Sequence, residues 1–179
     1  MGNPARIVGY SNSQRDRGPD VSIAPDEPGV RDLGVGGAFL RRYGVFKDIR
    51  GALSVGNIPA DIPFVPARWF LVYDVPGAEV RGEHAHRQCE QFLLCVHGSV
   101  RVLVDDGRRR VEVVLDQPSL GLYLPPRVWG SQFQYSPGTT LLVFASRPYE
   151  ADDYIRTYEA FLAECGPRDD GSAPAPVDR

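Results

Sequence analysis

The sequence predicts an all-β domain, a sandwich or barrel, with one helix near its C-terminus. Short apolar segments recur at regular spacing between residues 45 and 144, and turn residues separate them. A later segment repeats its apolar residues at helical spacing instead. The chain has 179 residues, 42% of them hydrophobic, which is enough to bury the core of one domain.

Eight apolar segments have the length and composition of strands. Residues 92–96 form a continuous apolar run, typical of a strand buried on both faces. Residues 100–104 alternate and stop at Asp105-Asp106-Gly107, which predicts a hairpin with a return strand at 110–115. The remaining predicted strands are residues 45–46, 52–55, 68–73, 121–124 and 140–144.

The helix is predicted to begin at Asp152 and Asp153, because carboxylates suit a helix N-terminus and its dipole. Gly166-Pro167 is expected to end it. Its apolar face, expected to pack on the outside of the barrel, consists of Ile155, Tyr158, Phe161 and Leu162.

The sequence divides into an N-terminal extension and linker (1–40), a β domain (41–165) and a disordered tail (166–179). Residues 11–30 are polar and rich in Gly and Pro, as in linkers. Residues 2–10 resemble the closing segment of left-handed β-helix (hexapeptide-repeat) acyltransferases, which suggests the C-terminal half of a fusion. The alternative is an ordinary disordered start.

Composition excludes several classes of function. The net charge is -3 with acids and bases interspersed, which disfavours nucleic acid as a main partner. No apolar run reaches the roughly 18 residues of a membrane span. The three cysteines form no Cys-x-x-Cys pair, which favours reduced thiols in a cytoplasm.

The most informative feature is the pair His84 and His86, two of only three histidines in the chain. Residues i and i+2 of a strand share one face, so both rings are expected to point into the space that the sheet encloses. Two imidazoles in an enclosed space indicate a metal site or proton transfer.

A Gly-flanked His-x-His followed by Gly-Leu-Tyr-Leu-Pro-Pro (121–126) resembles the cupins, which are double-sheet jelly rolls. Metal-binding cupins add an acid and a third histidine. Gln91 stands at the acid position, and residues 127–131 contain no histidine. Two good ligands are fewer than a stable site needs, so metal is disfavoured, although Glu90 would restore a ligand if the strand bulged.

Without metal, the pair suits general acid–base catalysis, because histidine titrates near neutrality. The alternative is that both are core histidines satisfied by hydrogen bonds.

Six motifs in order resemble the sugar 3,4-ketoisomerases, and the resemblance covers about residues 41–163. They are specific as a set, although no single motif would be. The motifs are Asp-Ile-Arg-Gly-Ala-Leu (48–53), Tyr-Asp-Val-Pro (73–76), Arg-Gly-Glu-His-Ala-His (81–86), Asp-Asp-Gly (105–107), Gly-Leu-Tyr-Leu-Pro-Pro (121–126) and Asp-Tyr-Ile-Arg (153–156).

The resemblance implies a small cupin barrel that dimerises with strand exchange and needs no metal or organic cofactor. It implies dTDP-4-keto-6-deoxy-D-glucose as substrate and the 3-keto sugar nucleotide as product. That product would feed an aminotransferase and an N-acyltransferase, giving 3-amino-3,6-dideoxyhexoses for surface polysaccharides. An acyltransferase remnant upstream fits this pathway.

On this hypothesis His86 is the base that removes the C3 proton, and His84 relays the proton or orients the substrate. Tyr73 or Arg81 would stabilise the developing oxyanion. Arg50 and Arg81 are candidates for the pyrophosphate.

Tyr123 and Trp129 offer flat surfaces for the thymine or the sugar, or belong to the core. Gln91 and Gln132 complete the predicted substrate-binding set. Many family members carry a histidine where this chain has Gly130, and Gln132 or a water would have to replace it. The resemblance implies one of two product configurations, galacto or gluco, because the family divides by the face on which C4 is reprotonated.

Three alternatives stay open at this point. A nucleotide-sugar 3,5-epimerase-like cupin would also use a histidine base. A non-catalytic sugar-binding cupin would retain the pocket without turnover. A metal-dependent dioxygenase cupin is disfavoured by Gln91 and the missing third histidine.

Overall fold

The computed structural model describes residues 28–165. The acyltransferase-like segment, most of the predicted linker, Gly166-Pro167 and the predicted tail lie outside the described residues. Within this part of the chain, no helix has the length and apolar character needed to cross a bilayer.

Residues 28–165 form thirteen strands, one turn of 3-10 helix (Ala151–Asp153) and one α-helix, α1 (Tyr158–Cys165). The strands are β1 (Gly29–Asp32), β2 (Phe39–Arg42), β3 (Val45–Asp48), β4 (Gly51–Ser54), β5 (Arg68–Tyr73), β6 (Arg81–His86), β7 (Gln91–His97), β8 (Val100–Asp105), β9 (Arg110–Leu115), β10 (Leu120–Leu124), β11 (Trp129–Phe133), β12 (Thr140–Ala145) and β13 (Tyr154–Ile155).

Two antiparallel sheets enclose the core. One has six strands in the order β1-β2-β10-β7-β12-β5, and the other has five in the order β13-β6-β11-β8-β9. The hairpin β3–β4 pairs with neither. Side chains from both sheets meet in one apolar cluster, so the predicted all-β, double-sheet class is confirmed.

The β8–β9 hairpin shows how the alternating pattern positions the core. Val100, Val102 and Val104 are completely buried, whereas the residues between them are partly exposed. Gly107 has φ 86°, and its N–H donates to Asp105 at 2.7 Å, as a tight turn requires. The predicted hairpin and its return strand are confirmed.

The packed unit begins before residue 41. Strands β1 and β2 begin at Gly29 and Phe39, and Val35, Ala38 and Leu40 are buried in the core. These strands were missed because each has only four residues and carries charged side chains, so the period of two is too short to detect.

The C-terminal helix begins later than predicted. Tyr154 and Ile155 form β13, which pairs with β6, and α1 follows with Thr157 at its N-terminus, where the Thr157 hydroxyl accepts the N–H of Ala160 at 3.2 Å. Phe161 is completely buried against Trp129, outside the main core. The packing outside the barrel is therefore confirmed, but Asp153 is not a helix cap.

Candidate active site

The five-stranded sheet forms one wall of a pocket, and the histidine pair lies in this pocket. The ring centroids of His84 and His86 lie 4.9 Å apart, at 86° to each other. The prediction that the two rings share one face is confirmed. The residues that line the pocket are Gly82, His84, His86, Cys89, Gln91, Leu124, Pro125, Val128, Gly130 and Gln132.

Gly82 allows Gln132 to approach β6 closely. Its φ is +69°, and a Cβ there would lie 2.7 Å from Nε2 of Gln132. A larger residue would therefore be strained and would also displace the amide. The Oε1 atom of Gln132 accepts the hydroxyl of Tyr135 at 2.9 Å, which orients the amide in the pocket wall.

His86 is held by partners on both ring nitrogens. Its Nδ1 lies 2.8 Å from Oδ2 of Asp153, and its Nε2 lies 3.2 Å from Nε2 of Gln91. Because an ionised carboxylate only accepts hydrogen bonds, Nδ1 carries the proton and Nε2 keeps a lone pair on the pocket side. The amide of Gln91 donates to that lone pair.

Asp153 is itself held in place by the backbone. Its two oxygens accept the N–H groups of Gln88 at 2.7 Å and Cys89 at 3.2 Å. Burial alone would raise the pKa of Asp153, but the hydrogen bonds from His86, Gln88 and Cys89 together hold it below its ordinary value. The group is therefore a fixed carboxylate behind the imidazole.

Both histidines are electrically neutral near neutral pH. Burial, together with smaller contributions from the positive charges of His86 when it is protonated, Arg156 and Arg68, lowers the pKa of His84 to about 4. Burial also lowers the pKa of His86, although Asp153 partly opposes this. A neutral imidazole is the form that can accept a proton.

The buried histidines make stability depend on pH. The unfolded chain protonates His84 below its ordinary pKa of 6.5, whereas the folded chain does so only at about 4. Between these values the unfolded state binds more protons, so stability falls as the pH drops. We expect about 1–2 kcal/mol less unfolding free energy at pH 5 than at pH 7.5, measured by urea denaturation.

The substitution His84→Gln is expected to flatten this dependence, because it removes one of the buried imidazoles. His97→Gln is the matched control, since His97 is exposed at the end of β7. If wild type and His84→Gln show the same pH dependence of the unfolding free energy, His84 is not its source.

Two of the predicted aromatic residues lie outside the pocket. Tyr123 stacks on Phe39 with centroids 4.7 Å apart and donates its hydroxyl to Glu90 at 2.6 Å. Trp129 packs against α1, 5.6 Å from the ring of Phe161. Both belong to apolar clusters separate from the barrel core, and Glu90 is not available beside the histidines.

Three other predicted residues are exposed and do not line the pocket. Tyr73 lies on the same face of β5 as Trp69 and is 60% exposed, whereas Phe70 and Val72 on the opposite face pack against the barrel core. Arg50 pairs with Asp48 on the β3–β4 hairpin, with 85% of its side chain exposed. Arg81 is exposed at the start of β6. The structure brings together His84, His86, Gln91 and Gln132.

Sequence reasoning missed the role of Asp153, although its motif was noticed. The Asp-Tyr-Ile-Arg segment was assigned to a helix start, and the distance of 67 residues between His86 and Asp153 hid their contact. It also missed Arg68, Tyr154 and Arg156, which lie beside the histidines: the Tyr154 ring is 4.3 Å from that of His86.

One group of side chains within residues 28–165 has the donor set for a metal ion. Ligand atoms of His86, Cys89 and Asp153 lie within 4.8 Å of one another. A metal there would have to replace the His86–Asp153 hydrogen bond and share a carboxylate that already accepts two backbone N–H groups. Gln91, at the position of the acid in metal-binding cupins, donates to His86 instead.

Gly130 leaves space in the pocket wall opposite His84, with which it pairs across β6 and β11. A Cβ at this position would meet only Leu124 Cδ1, at 3.4 Å. The pocket therefore has room at the position where the resemblance implies a histidine.

The comparisons with known proteins match the same part of the chain. A family model described as WxcM-like, C-terminal, matches residues 39–166. A TDP-4-oxo-6-deoxy-alpha-D-glucose-3,4-oxoisomerase from Aneurinibacillus thermoaerophilus is 42% identical over 114 residues, which are 64% of this chain and 82% of that protein.

Solved structures of 3,4-ketoisomerases have the same fold. A histidine-to-asparagine mutant of QdtA from Thermoanaerobacterium thermosaccharolyticum, in complex with TDP-4-keto-6-deoxyglucose, has a TM-score of 0.70 at 32% identity and covers 73% of this chain and 95% of its own. The TDP-quinovose 3,4-ketoisomerase WlaRB from Campylobacter jejuni has a TM-score of 0.69 at 32% identity, with 72% and 99% covered.

Proposed function

Because this chain belongs to the WxcM-like, C-terminal family, we propose that it converts dTDP-4-keto-6-deoxy-D-glucose into the 3-keto sugar nucleotide. It is an isomerase of the sugar 3,4-ketoisomerase type. One observation supports the assignment of this reaction to the pocket. His86 is neutral, Asp153 holds its Nδ1 atom, and its Nε2 atom keeps a lone pair on the pocket side.

The reaction needs only proton transfers. The C4 ketone acidifies the C3 proton, which His86 removes with its Nε2 atom, and the electrons of the C3–H bond form an enediolate. The proton of the C3 hydroxyl passes to the oxygen on C4, and a proton returns to C4, so the ketone forms at C3 and no oxidant is required. His84, with its ring 4.9 Å from that of His86, is close enough to relay the proton.

The amides of Gln91 and Gln132 are our candidates for binding the enediolate oxygens. Both side chains line the pocket, and Gln91 already donates to His86, so substrate would take over that N–H group. Preorganised donors of this kind stabilise developing negative charge. Tyr73 and Arg81, the earlier candidates, are exposed outside the pocket of their own chain.

The test is incubation of the wild-type protein with dTDP-4-keto-6-deoxyglucose in D2O containing EDTA, followed by NMR. We expect a 3-keto product with deuterium at C4, and its C4 configuration will distinguish galacto from gluco. Inversion at C3 or C5 without ketone migration would support a 3,5-epimerase instead. An unchanged substrate together with TDP binding would support a non-catalytic sugar-binding protein.

We also propose that the chain forms a homodimer. The β3–β4 hairpin pairs with neither sheet, yet Phe46, Ile49 and Leu53 on it are 66%, 104% and 59% exposed. The outer face of the edge strand β5 carries exposed Trp69 and Tyr73 as well. A second copy is the partner that would cover both surfaces, and sedimentation equilibrium of the purified chain tests it.

The similarity of residues 2–10 to hexapeptide-repeat acyltransferases supports a further proposal, that this ketoisomerase unit is fused to or associates with an N-acyltransferase. Such an enzyme would act later on the amino sugar derived from the 3-keto product. Co-purification of the two activities from the native source tests this proposal.

A further inference from the structure

The two ends of the Gln132 amide have different surroundings. The side chain is buried and lines the histidine pocket. Its Oε1 atom accepts the hydroxyl of Tyr135 at 2.9 Å, and its Nε2 atom faces Gly82. Within residues 28–165 this Nε2 atom has no hydrogen-bond partner and is not sealed from the pocket. The carbonyl oxygen is therefore occupied, and the NH2 group is available to a ligand.

A β-bulge in β6 lets Gln132 reach into the pocket. Gly130 pairs with His84, but Gln132 pairs with Arg81, so β6 has one residue more than β11 between these pairs. Gly82 lies in this bulge with φ +69°, a conformation that suits glycine. Bulges of this kind redirect side chains next to active sites, and here the bulge places the amide over a residue without a side chain.

An unusual backbone conformation brings Tyr135 to the same amide. In a regular strand, Tyr135 would point to the face opposite Gln132, because the two residues are three apart. Gln134 between them has φ 51°, in the left-handed region that residues with a side chain adopt rarely. The turn buries the Tyr135 ring in the barrel core and leaves its hydroxyl on Oε1 of Gln132.

The hydroxyl of Tyr135 determines which end of the amide faces the pocket. Burial raises the pKa of Tyr135 to about 12, so the hydroxyl keeps its proton near neutral pH and remains a donor. If the Gln132 amide rotated by 180°, its NH2 group would face the hydroxyl. The buried O–H group would then lose the acceptor that it has in the structure, which is unfavourable.

We propose that Tyr135 is a positioning residue, which locks Gln132 so that its NH2 group faces the oxygens on C3 and C4 of the substrate. The inference rests on the proposed function, in which these oxygens gain negative charge as the enediolate forms. A fixed N–H donor stabilises that charge without reorganisation, whereas a carbonyl oxygen in its place would repel it. Tyr135 thus sets the sign of the partial charge that Gln132 presents.

The test compares kcat and KM of wild type, Tyr135→Phe, Gln132→Met and the double variant, measured by NMR of the product. Gln132→Met is expected to lower kcat about 10²-fold, the loss typical of one oxyanion-binding donor. Tyr135→Phe should lower kcat about 10-fold, because the amide is then free to rotate and one hydrogen bond no longer fixes it. KM should change less than about threefold, since the charge develops only in the transition state.

The double variant separates positioning from a purely structural role. Its kcat should equal that of Gln132→Met within about twofold, because Tyr135 acts only through the amide. If Tyr135→Phe instead lowers kcat by the same factor in both backgrounds, the hydroxyl acts independently of Gln132 and the inference fails. Gln132→Met leaves the buried hydroxyl without its acceptor, so the double variant is expected to unfold at a higher temperature than Gln132→Met.

Tyr123→Phe is the matched control, because it removes a hydroxyl that donates to Glu90 at 2.6 Å outside the pocket. Its kcat should stay within about twofold of wild type. TDP contains no hexose, so its affinity should stay within about threefold in every variant. A tenfold loss of TDP affinity in Tyr135→Phe would show a general disturbance of the site and would overturn the inference.

The outcomes also separate this inference from the proposed function. If wild type isomerises dTDP-4-keto-6-deoxyglucose and Tyr135→Phe keeps more than half of the wild-type kcat, the proposed function stands and the inference fails alone. If wild type leaves the substrate unchanged, the proposed function fails and the role of Tyr135 fails with it.

Discussion

Replacing His86 with asparagine is expected to lower kcat for ketoisomerisation about 10³-fold and to leave TDP affinity within about threefold. The substitution removes the lone pair that accepts the C3 proton, and general base catalysis typically contributes 10²- to 10⁴-fold. An asparagine amide still donates to Asp153, so the carboxylate at 2.8 Å from His86 Nδ1 keeps a partner. NMR of the product in D2O and calorimetry with TDP measure the two quantities.

His97→Asn is the control for this experiment, since His97 is the only other histidine in the chain and lies exposed on β7. Its kcat should equal that of wild type. His84→Asn is expected to reduce kcat less than His86→Asn, because His84 relays the proton rather than removing it. If His84→Asn abolishes turnover while His86→Asn retains more than a tenth of wild-type kcat, the base is His84.

Asp153→Asn is expected to lower kcat about 10²- to 10³-fold with a smaller change in KM. Both Asp153 oxygens accept hydrogen bonds, one from Gln88 and the other from Cys89 and His86. If an amide NH2 group replaces either oxygen, it faces an N–H group, so two hydrogen-bond donors point at each other. The variant lacks the negative charge that stabilises the imidazolium ion. When its NH2 group faces Nδ1 of His86, it also favours the wrong imidazole tautomer.

The pH profile distinguishes this role from a purely structural one. Asp153 opposes the lowering of the His86 pKa by burial, so its removal should move the acid limb of the kcat profile to lower pH. Asp152→Asn, at the neighbouring exposed residue, should leave both the profile and kcat unchanged. A loss in kcat below about fivefold for Asp153→Asn would remove Asp153 from the mechanism.

Local sequence patterns were sufficient to predict those features in which a residue's environment depends on its neighbours along the chain. The alternation of Val100, Val102 and Val104 predicted a strand because pleating places every second side chain on one face. The same rule placed His84 and His86 together, and counting along β7 placed Gln91, not Glu90, beside them.

Patterns were insufficient where a residue's partner is distant in sequence. Asp152 and Asp153 have the composition of a helix start, but the pairing of Tyr154 with His86 makes this segment a strand and places Asp153 behind His86. Tyr123 and Trp129 are chain neighbours of Leu124 and Gly130, which line the pocket. Successive side chains of a strand point to opposite faces, so the two aromatic rings lie in other clusters.

By itself, the sequence determined the all-β class, most of the strands, the histidine pair and the resemblance that implies ketoisomerisation, because each of these depends on local periodicity or on contiguous motifs. Only the tertiary structure decided which groups surround the histidines. Asp153, Arg68 and Arg156 reach them through pairing of β13 with β6 and through the closure of the two sheets. Contacts of this kind depend on burial and register across the sheets, which no local pattern specifies.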